Sequence, residues 1–177
     1  MRIATLIIAA AAAATAFAAP AAAQSVPPPL VHPDKDANGK ALILVPLTLT
    51  KIDDLDFGTL IPSGLSGFVS VNATTGNRTT GGGVTGVTSA AGHRAYFGGA
   101  GTPNQQVIIT YTQPAQLTNP AGDTIDVLAL TLEGSAIKQV DPTTRAFYFG
   151  MGGILQIAAD QPEGLYSATF TVSANYQ

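Results

Sequence analysis

The last fourteen residues of the chain, GLYSATFTVSANYQ, alternate between apolar and polar side chains with a period of two. The apolar side of this period holds Tyr166, Ala168, Phe170, Val172, Ala174 and Tyr176, and the other side is polar. Successive side chains of a β-strand point to opposite faces of its sheet. The pattern therefore predicts a long final strand, from Leu165 to Tyr176, with one face on a hydrophobic core and the other in water.

Strand-like runs alternate with turn-forming clusters from residue 41 onwards. The runs are ALILVPLTLT, LDFGTL, GFVSVN, RAYFG, VIITYT, IDVLALTL, AFYFG, ILQIAA and the terminal segment. Glycine, proline, asparagine and aspartate favour turns, and they are frequent in the clusters between the runs, such as PSGLSG and DQPEG. Many short strands without a sustained helical period predict an all-β sandwich or barrel.

Two details of the chain path also follow from the pattern. AFYFG, ILQIAA and the terminal run predict a unit of consecutive antiparallel strands, joined through the turn DQPEG. The segment GNRTTGGGVTG, residues 76–86, is rich in glycine and low in complexity, which is typical of a mobile loop.

The N-terminal region has the features of a secretory signal. A short basic start precedes an alanine-rich apolar run, and Ala21-Ala22-Ala23 matches the small-residue pattern of a cleavage site. Residues 1–23 are therefore predicted to be a signal peptide, and residues 24–40 a flexible proline-rich leader. Residues 41–177 are predicted to form a single β-sandwich domain. No later segment is long and apolar enough to span a membrane, so we expect a secreted protein of the periplasm or the bacterial cell surface.

Charge and composition exclude several classes of function. Charged residues make up 11% of the chain and the net charge is −3, with lysines and arginines scattered singly. Nucleic-acid binding requires clustered basic residues, so it is not expected here. The chain has no cysteine, which excludes disulfides and cysteine nucleophiles.

The sequence contains no pattern typical of an enzyme. His32 and His93 are far apart, and the glycine-rich segment lacks the lysine of a phosphate-binding loop. The carboxylates of Asp53, Asp54 and Asp56 cluster before Phe57, where a solvated turn is the simplest interpretation. We therefore predict a protein that is not an enzyme.

One short segment resembles the start of a calcium loop. DKDANG places oxygen ligands at Asp34, Asp36 and Asn38, followed by Gly39 for the bend. The glutamate that completes such a loop is replaced by Val45, so the simpler interpretation is a solvated turn. No cofactor is predicted, and calcium is the one weak candidate.

The C-terminal segment resembles the last strand of chaperone–usher fimbrial subunits, with a glycine fourteen residues from the end and a penultimate tyrosine. Gly164, Tyr166, Phe170, Val172 and Tyr176 match that pattern. LDFGTLIPSG and the region from YFGMGG to the end are also similar to the secreted bacterial domain-of-unknown-function family 4402, and more distantly to spore-coat-U-type proteins. The resemblance implies an immunoglobulin-like, pilin-like antiparallel β-sandwich.

In fimbrial subunits this last strand borders a groove that a periplasmic chaperone, and then the N-terminal extension of the next subunit, fills by strand addition. The resemblance thus implies a groove at Tyr166, Phe170, Val172 and Tyr176, with other copies of the chain or a periplasmic chaperone as partners.

The segment ALILVPLTLT is the candidate donor strand. Ile43, Val45, Leu47 and Leu49 share one face of its alternation, and Pro46 suits an edge strand or a bulge. Two interpretations stay open. In the first, the protein is a structural, fimbria-like subunit that associates by strand addition. In the second, residues 41–49 complete their own sandwich, and the protein is a monomeric, adhesin-like secreted binding module that uses loops such as 76–86 and 98–105.

Overall fold

The computed structural model describes residues 35–177. The predicted signal peptide, most of the predicted leader and Asp34 of the candidate calcium loop lie outside the described residues. Residues 35–40 are exposed and have no regular secondary structure. Residues Ala41–Gln177 form one compact unit, which contains all the strands described below.

Ten β-strands and one short 3-10 helix run through the described residues. The strands are β1 Thr48–Asp53, β2 Leu60–Val71, β3 Arg78–Gly86, β4 Ala95–Ala100, β5 Gln106–Thr112, β6 Gln116–Thr118, β7 Thr124–Leu132, β8 Ile137–Gln139, β9 Ala146–Ile157 and β10 Thr171–Tyr176, with the 3-10 helix at Thr88–Ala90. The predicted all-β class is confirmed. No helix in residues 35–177 is long and apolar enough to cross a membrane.

The larger sheet is built around β9. One edge of β9 pairs with β4 and then with β2, while its other edge pairs with β7, and all three pairings are antiparallel. Strand β1 pairs with β4, β3 pairs with β2, and β6 pairs with β7. Because β9 has neighbours on both edges and a sheet packed on one face, most of its residues are buried. Its sequence is accordingly an almost continuous apolar run.

The smaller sheet has three antiparallel strands in the order β10-β5-β8. It packs on the larger sheet, and the core between them includes Val69, Phe97, Val107, Ile109, Phe149, Met151 and Leu155. The predicted antiparallel β-sandwich is therefore confirmed.

The C-terminal segment is shorter as a strand than its alternation predicts. Ser167 pairs with Thr118 of β6 in an isolated bridge, whereas β10 begins only at Thr171 and pairs with β5. The segment thus starts beside the larger sheet and ends in the smaller one. The alternation of apolar and polar residues continues where the segment passes from one sheet to the other, because both parts turn their apolar face to the same core. The predicted continuous strand from Leu165 is wrong in this respect.

The predicted unit of consecutive strands at the C-terminus is also wrong. AFYFG and ILQIAA belong to one strand, β9, although glycines separate them in the sequence. A side chain at Gly152 would overlap the Val71 carbonyl oxygen, so the glycine permits close passage of the chain there. Strand β10 pairs with β5 in the other sheet and is not a neighbour of β9.

Residues 78–86 form strand β3 instead of the predicted mobile loop. They pair with β2 from Val71 to Leu60, with a register shift between Pro62 and Gly67. PSGLSG, predicted to be a turn, lies within β2, and it is the stretch over which the register shifts. Local composition indicated a loop, but pairing with β2 stabilises an extended conformation.

Candidate functional site

Each sheet of the sandwich ends in a strand with one unpaired edge. Within the described residues, β1 pairs only with β4, and β10 pairs only with β5. The Gln177 N–H donates to the Gln106 carbonyl at 3.0 Å, and backbone groups alternate between edges along an antiparallel strand. The backbone groups of Val172, Ala174 and Tyr176 therefore face away from β5, towards the free edge.

A groove of about 430 Å³ lies between these two free strands. We call it the seam groove. Its apolar lining comes from Leu49 and Phe97 on one side and from Phe170 and Val172 on the other. The Lys51 ammonium and the Asp54 carboxylate, 2.6 Å apart, form an exposed ion pair at its rim. Thr169 and Thr171 also line it, so the groove between the edges of the two sheets has both apolar and polar walls.

A second cavity, of about 490 Å³, continues along the same two chain segments. We call it the Phe57 cavity. Its walls are residues 55–60, which follow β1, and residues 161–166, which precede β10. Ile125, Leu155 and Ile157, which are buried, form its floor. The exposed apolar gap between the N-terminal and C-terminal segments therefore extends well beyond the seam groove.

Hydrogen bonds fix both walls of the Phe57 cavity. The Arg78 guanidinium donates to the carbonyl oxygens of Phe57, Thr59, Val87 and Ala90 at 2.7 to 3.2 Å. On the other wall, the Tyr166 hydroxyl donates to the Pro162 carbonyl at 2.7 Å and accepts from the Gln161 amide at 3.0 Å. A tyrosine that bonds back to nearby backbone also fixes the strand entry in other β-sandwiches.

The segment before β1, residues 41–47, passes the C-terminal end of β10. We call this segment the arm. The Val45 N–H donates to the Thr102 hydroxyl oxygen at 2.8 Å, and the Val45 carbonyl accepts from the Tyr176 hydroxyl at 2.7 Å. Leu47 is partly buried against the core, whereas Leu42 and Ile43 are 73% and 90% exposed. The arm is therefore held by the hydrogen bonds of Val45 and the packing of Leu47, and its first residues leave an apolar stretch in water.

The structure brings most of the predicted site residues together. Tyr166, Phe170, Val172 and Tyr176 pack against the core along the C-terminal side of the gap, and Leu47 and Leu49 pack against it from the N-terminal side. Ile43 and Val45 are exposed and do not lie in a strand, because β1 begins only at Thr48. The predicted strand over residues 41–50 is therefore wrong for its first seven residues.

Thr102 lies in the loop 98–105 named for the binding-module alternative, but the sequence did not indicate its contact with the arm. It lies in the GGAGTPN cluster after β4, and only the folded chain brings it to Val45 and Tyr176. No local pattern distinguishes it from other turn threonines.

Few charged groups of the described residues are arranged as a site. Asp36 and Asn38 of the candidate calcium loop are exposed, and residues 35–177 contain no group of three His, Cys, Asp or Glu side chains able to hold a metal. The Asp56 carboxylate accepts from the Gly58 N–H at 2.7 Å, as in a solvated turn. Away from the gap, backbone N–H groups of Thr144 and Thr143 and the Thr144 hydroxyl donate to Asp141, which lowers the pKa of that carboxyl.

Comparison with known proteins places the chain in one family. No curated protein and no solved structure matches the chain. The family model for a domain of unknown function, DUF4402, matches residues 47–176, which include every strand from β1 to β10. The protein belongs to the DUF4402 family.

Proposed function

We propose that this protein is a non-enzymatic structural subunit that associates with other copies of itself by β-strand addition in the seam groove. The observation that carries the proposal is the pair of unpaired sheet edges, β1 and β10, on either side of a groove into which Phe97 and Phe170 project. An added strand would pair with the free edge of β10 and cover the groove.

The backbone supplies the affinity of such an association. An unpaired edge presents a row of N–H and C=O groups that readily pairs with another extended chain. At the seam groove, Val172 and Ala174 present these groups on one side. Alternate side chains of the added strand would point inwards onto Phe97 and Phe170, which would set its register.

The arm of a second copy is the proposed donor. Ala41, Ile43, Val45 and Leu47 share one face of an extended chain, and Ile43 is 90% exposed in the free molecule. Burying one such side chain stabilises a complex by about 1.5–3 kcal/mol. An exposed apolar segment and an open groove with a free strand edge on the same molecule favour head-to-tail association, which yields open filaments or closed rings.

The remaining parts of the proposal rest on sequence. The resemblance of the C-terminal segment to fimbrial subunits supports a fimbria-like role, and the signal-like start supports secretion to the periplasm or cell surface. A periplasmic chaperone that supplies a strand would protect the free edges before assembly. We propose no cofactor.

The test compares the two faces of the arm. We expect Ile43→Lys, in protein beginning at residue 24, to abolish concentration-dependent oligomers in size-exclusion chromatography, because a charge would have to enter the groove beside Phe97 and Phe170. Leu42→Lys is the matched control: Leu42 is also exposed but belongs to the opposite face, so oligomers should persist.

Deletion of residues 24–47 separates this proposal from the alternative of a self-completed binding module. The shortened protein should stay soluble and monomeric, and it should bind a synthetic peptide of residues 38–50. A full-length protein that is monomeric at every concentration, together with an insoluble deletion variant, would instead support self-completion.

A further inference from the structure

Both backbone groups of Val45 are bound by side-chain hydroxyls. The Val45 N–H donates to Thr102 Oγ1 at 2.8 Å, and the Val45 carbonyl accepts from the Tyr176 hydroxyl at 2.7 Å. We call Thr102 and Tyr176 the clamp. These are the hydrogen bonds that the arm makes to the part of the chain that the structure describes.

The hydroxyl groups of the clamp are oriented for this contact. The Thr102 N–H donates to the Tyr176 hydroxyl oxygen at 2.8 Å. Because a hydroxyl has a single proton, this bond leaves the Tyr176 proton free to point at the Val45 carbonyl. The two side chains also approach each other, with 3.5 Å between their hydroxyl oxygens. The clamp therefore presents one acceptor and one donor, which together match the N–H and C=O of a single residue.

The clamp recognises backbone and not side chain. Val45 is 45% exposed, and neither clamp bond involves its side chain. A site of this kind holds any extended segment that passes through it. Its occupant is exchangeable in principle, because the arm before Val45 is exposed and forms no strand.

The occupied clamp also places the arm at the C-terminal end of the β10 edge. Tyr176 is the last residue of β10, and its backbone groups face the free edge. Leu47 and the Tyr176 ring both lie against Gly101, where a side chain would meet Tyr176 Oη at 2.6 Å and Leu47 Cδ1 at 2.9 Å. A strand pairing along the whole of β10 would have to displace the arm there.

We propose that the Thr102–Tyr176 clamp holds the arm in the free chain, and that release of the arm precedes strand addition. Release would do two things at once. It would open the full length of the β10 edge to an incoming strand, and it would free the arm to act as donor for the next copy. This inference rests on the proposed function and adds the residues that control it.

The experiment measures arm release and assembly separately. Tyr176→Phe removes the donor to Val45, and Thr102→Val removes the acceptor, with little change in volume. Losing one such hydrogen bond should raise the hydrogen-exchange rate of the Val45 amide roughly two- to tenfold, and the initial rate of oligomer growth by a similar factor.

Tyr111→Phe is the matched control, because the Tyr111 hydroxyl also donates to a backbone carbonyl, that of Leu130, at 3.2 Å. It should leave both rates unchanged. Because Thr102 lies outside β10, the Thr102→Val variant tests the clamp even if Tyr176→Phe disturbs the end of that strand.

The possible outcomes distinguish this inference from the proposed function. If oligomers form but neither clamp variant changes the exchange of Val45, the clamp does not hold the arm. If exchange rises while growth is unchanged or slower, the arm does not obstruct addition, and the inference is wrong although strand addition stands. If wild type and both variants remain monomeric, the proposed function itself fails, and this inference with it.

Discussion

At the scale of single residues, Gly164 shows why one position before the last strand requires glycine. Its φ is +152°, and a Cβ there would lie 3.0 Å from Asn119 Nδ2. Asn119 cannot easily move away, because it is 6% exposed and its side chain bonds both the backbone N–H and the carboxylate of Asp123, at 2.8 and 2.9 Å. Gly164 therefore fixes the chain direction at the mouth of the Phe57 cavity.

We expect Gly164→Ala to lower the free energy of unfolding by about 1–3 kcal/mol, because a side chain would add backbone strain and press on Asn119. Urea denaturation followed by circular dichroism measures the change. Gly39→Ala, where a Cβ would meet no atom within 4 Å, is the control and should have little effect. Equal stability of the two variants would show that Asn119 does not constrain position 164.

At the scale of elements, strand β3 depends on its three consecutive glycines. A side chain at Gly83 would overlap the Leu65 carbonyl, and the Phe68 ring occupies the space beside Gly81. Gly82 has a φ of +66°, at the register shift where β2 has extra residues. Glycine is needed here because the two strands approach closely around an irregular pairing.

Gly83→Ala should therefore destabilise the protein by about 1–3 kcal/mol, as overpacking does in a close-packed region. Thr79→Ala, at an exposed position of the same strand, should cost no more than about 0.5 kcal/mol. The midpoint of urea unfolding compares the two variants. If residues 78–86 were a mobile loop, the two substitutions would have the same small effect.

At the scale of the whole molecule, the two sheets differ in size, with seven strands in one and three in the other. The smaller sheet cannot cover the whole inner face of the larger one. Residues 55–60 and 161–166 cover the remainder incompletely, which leaves the Phe57 cavity and the seam groove. The gap thus follows from an unequal pair of sheets, and it is the site of the proposed strand addition.

The stability of the molecule rests on this one core, since the chain has no cysteine. We expect millimolar calcium to leave the melting temperature unchanged, because Asp36 and Asn38 are exposed and the Val45 carbonyl is bonded to Tyr176. A ligand that binds only the folded state would raise the melting temperature. Differential scanning fluorimetry with calcium and with chelator measures this. A rise that Asp36→Ala abolishes would instead establish a calcium site.

The alternation of apolar and polar residues was enough to predict the all-β class and the core face of the C-terminal segment, whereas the choice of a sandwich over a barrel rested on the family resemblance. Side chains alternate between the two faces of any strand, whichever strands it pairs with. The buried face at Phe170 and Val172 can therefore be predicted without knowing the paired strand. The motifs near the two ends of the matched region likewise indicated the family that the comparison established.

Strand pairing was decided only by the tertiary structure, because it depends on residues far apart in the chain. The pairing of β10 with β5, the extended conformation of residues 78–86 and the start of β1 at Thr48 all follow from such contacts. The same holds for the clamp. Thr102 and Tyr176 are 74 positions apart, and folding brings their hydroxyls to the backbone of Val45.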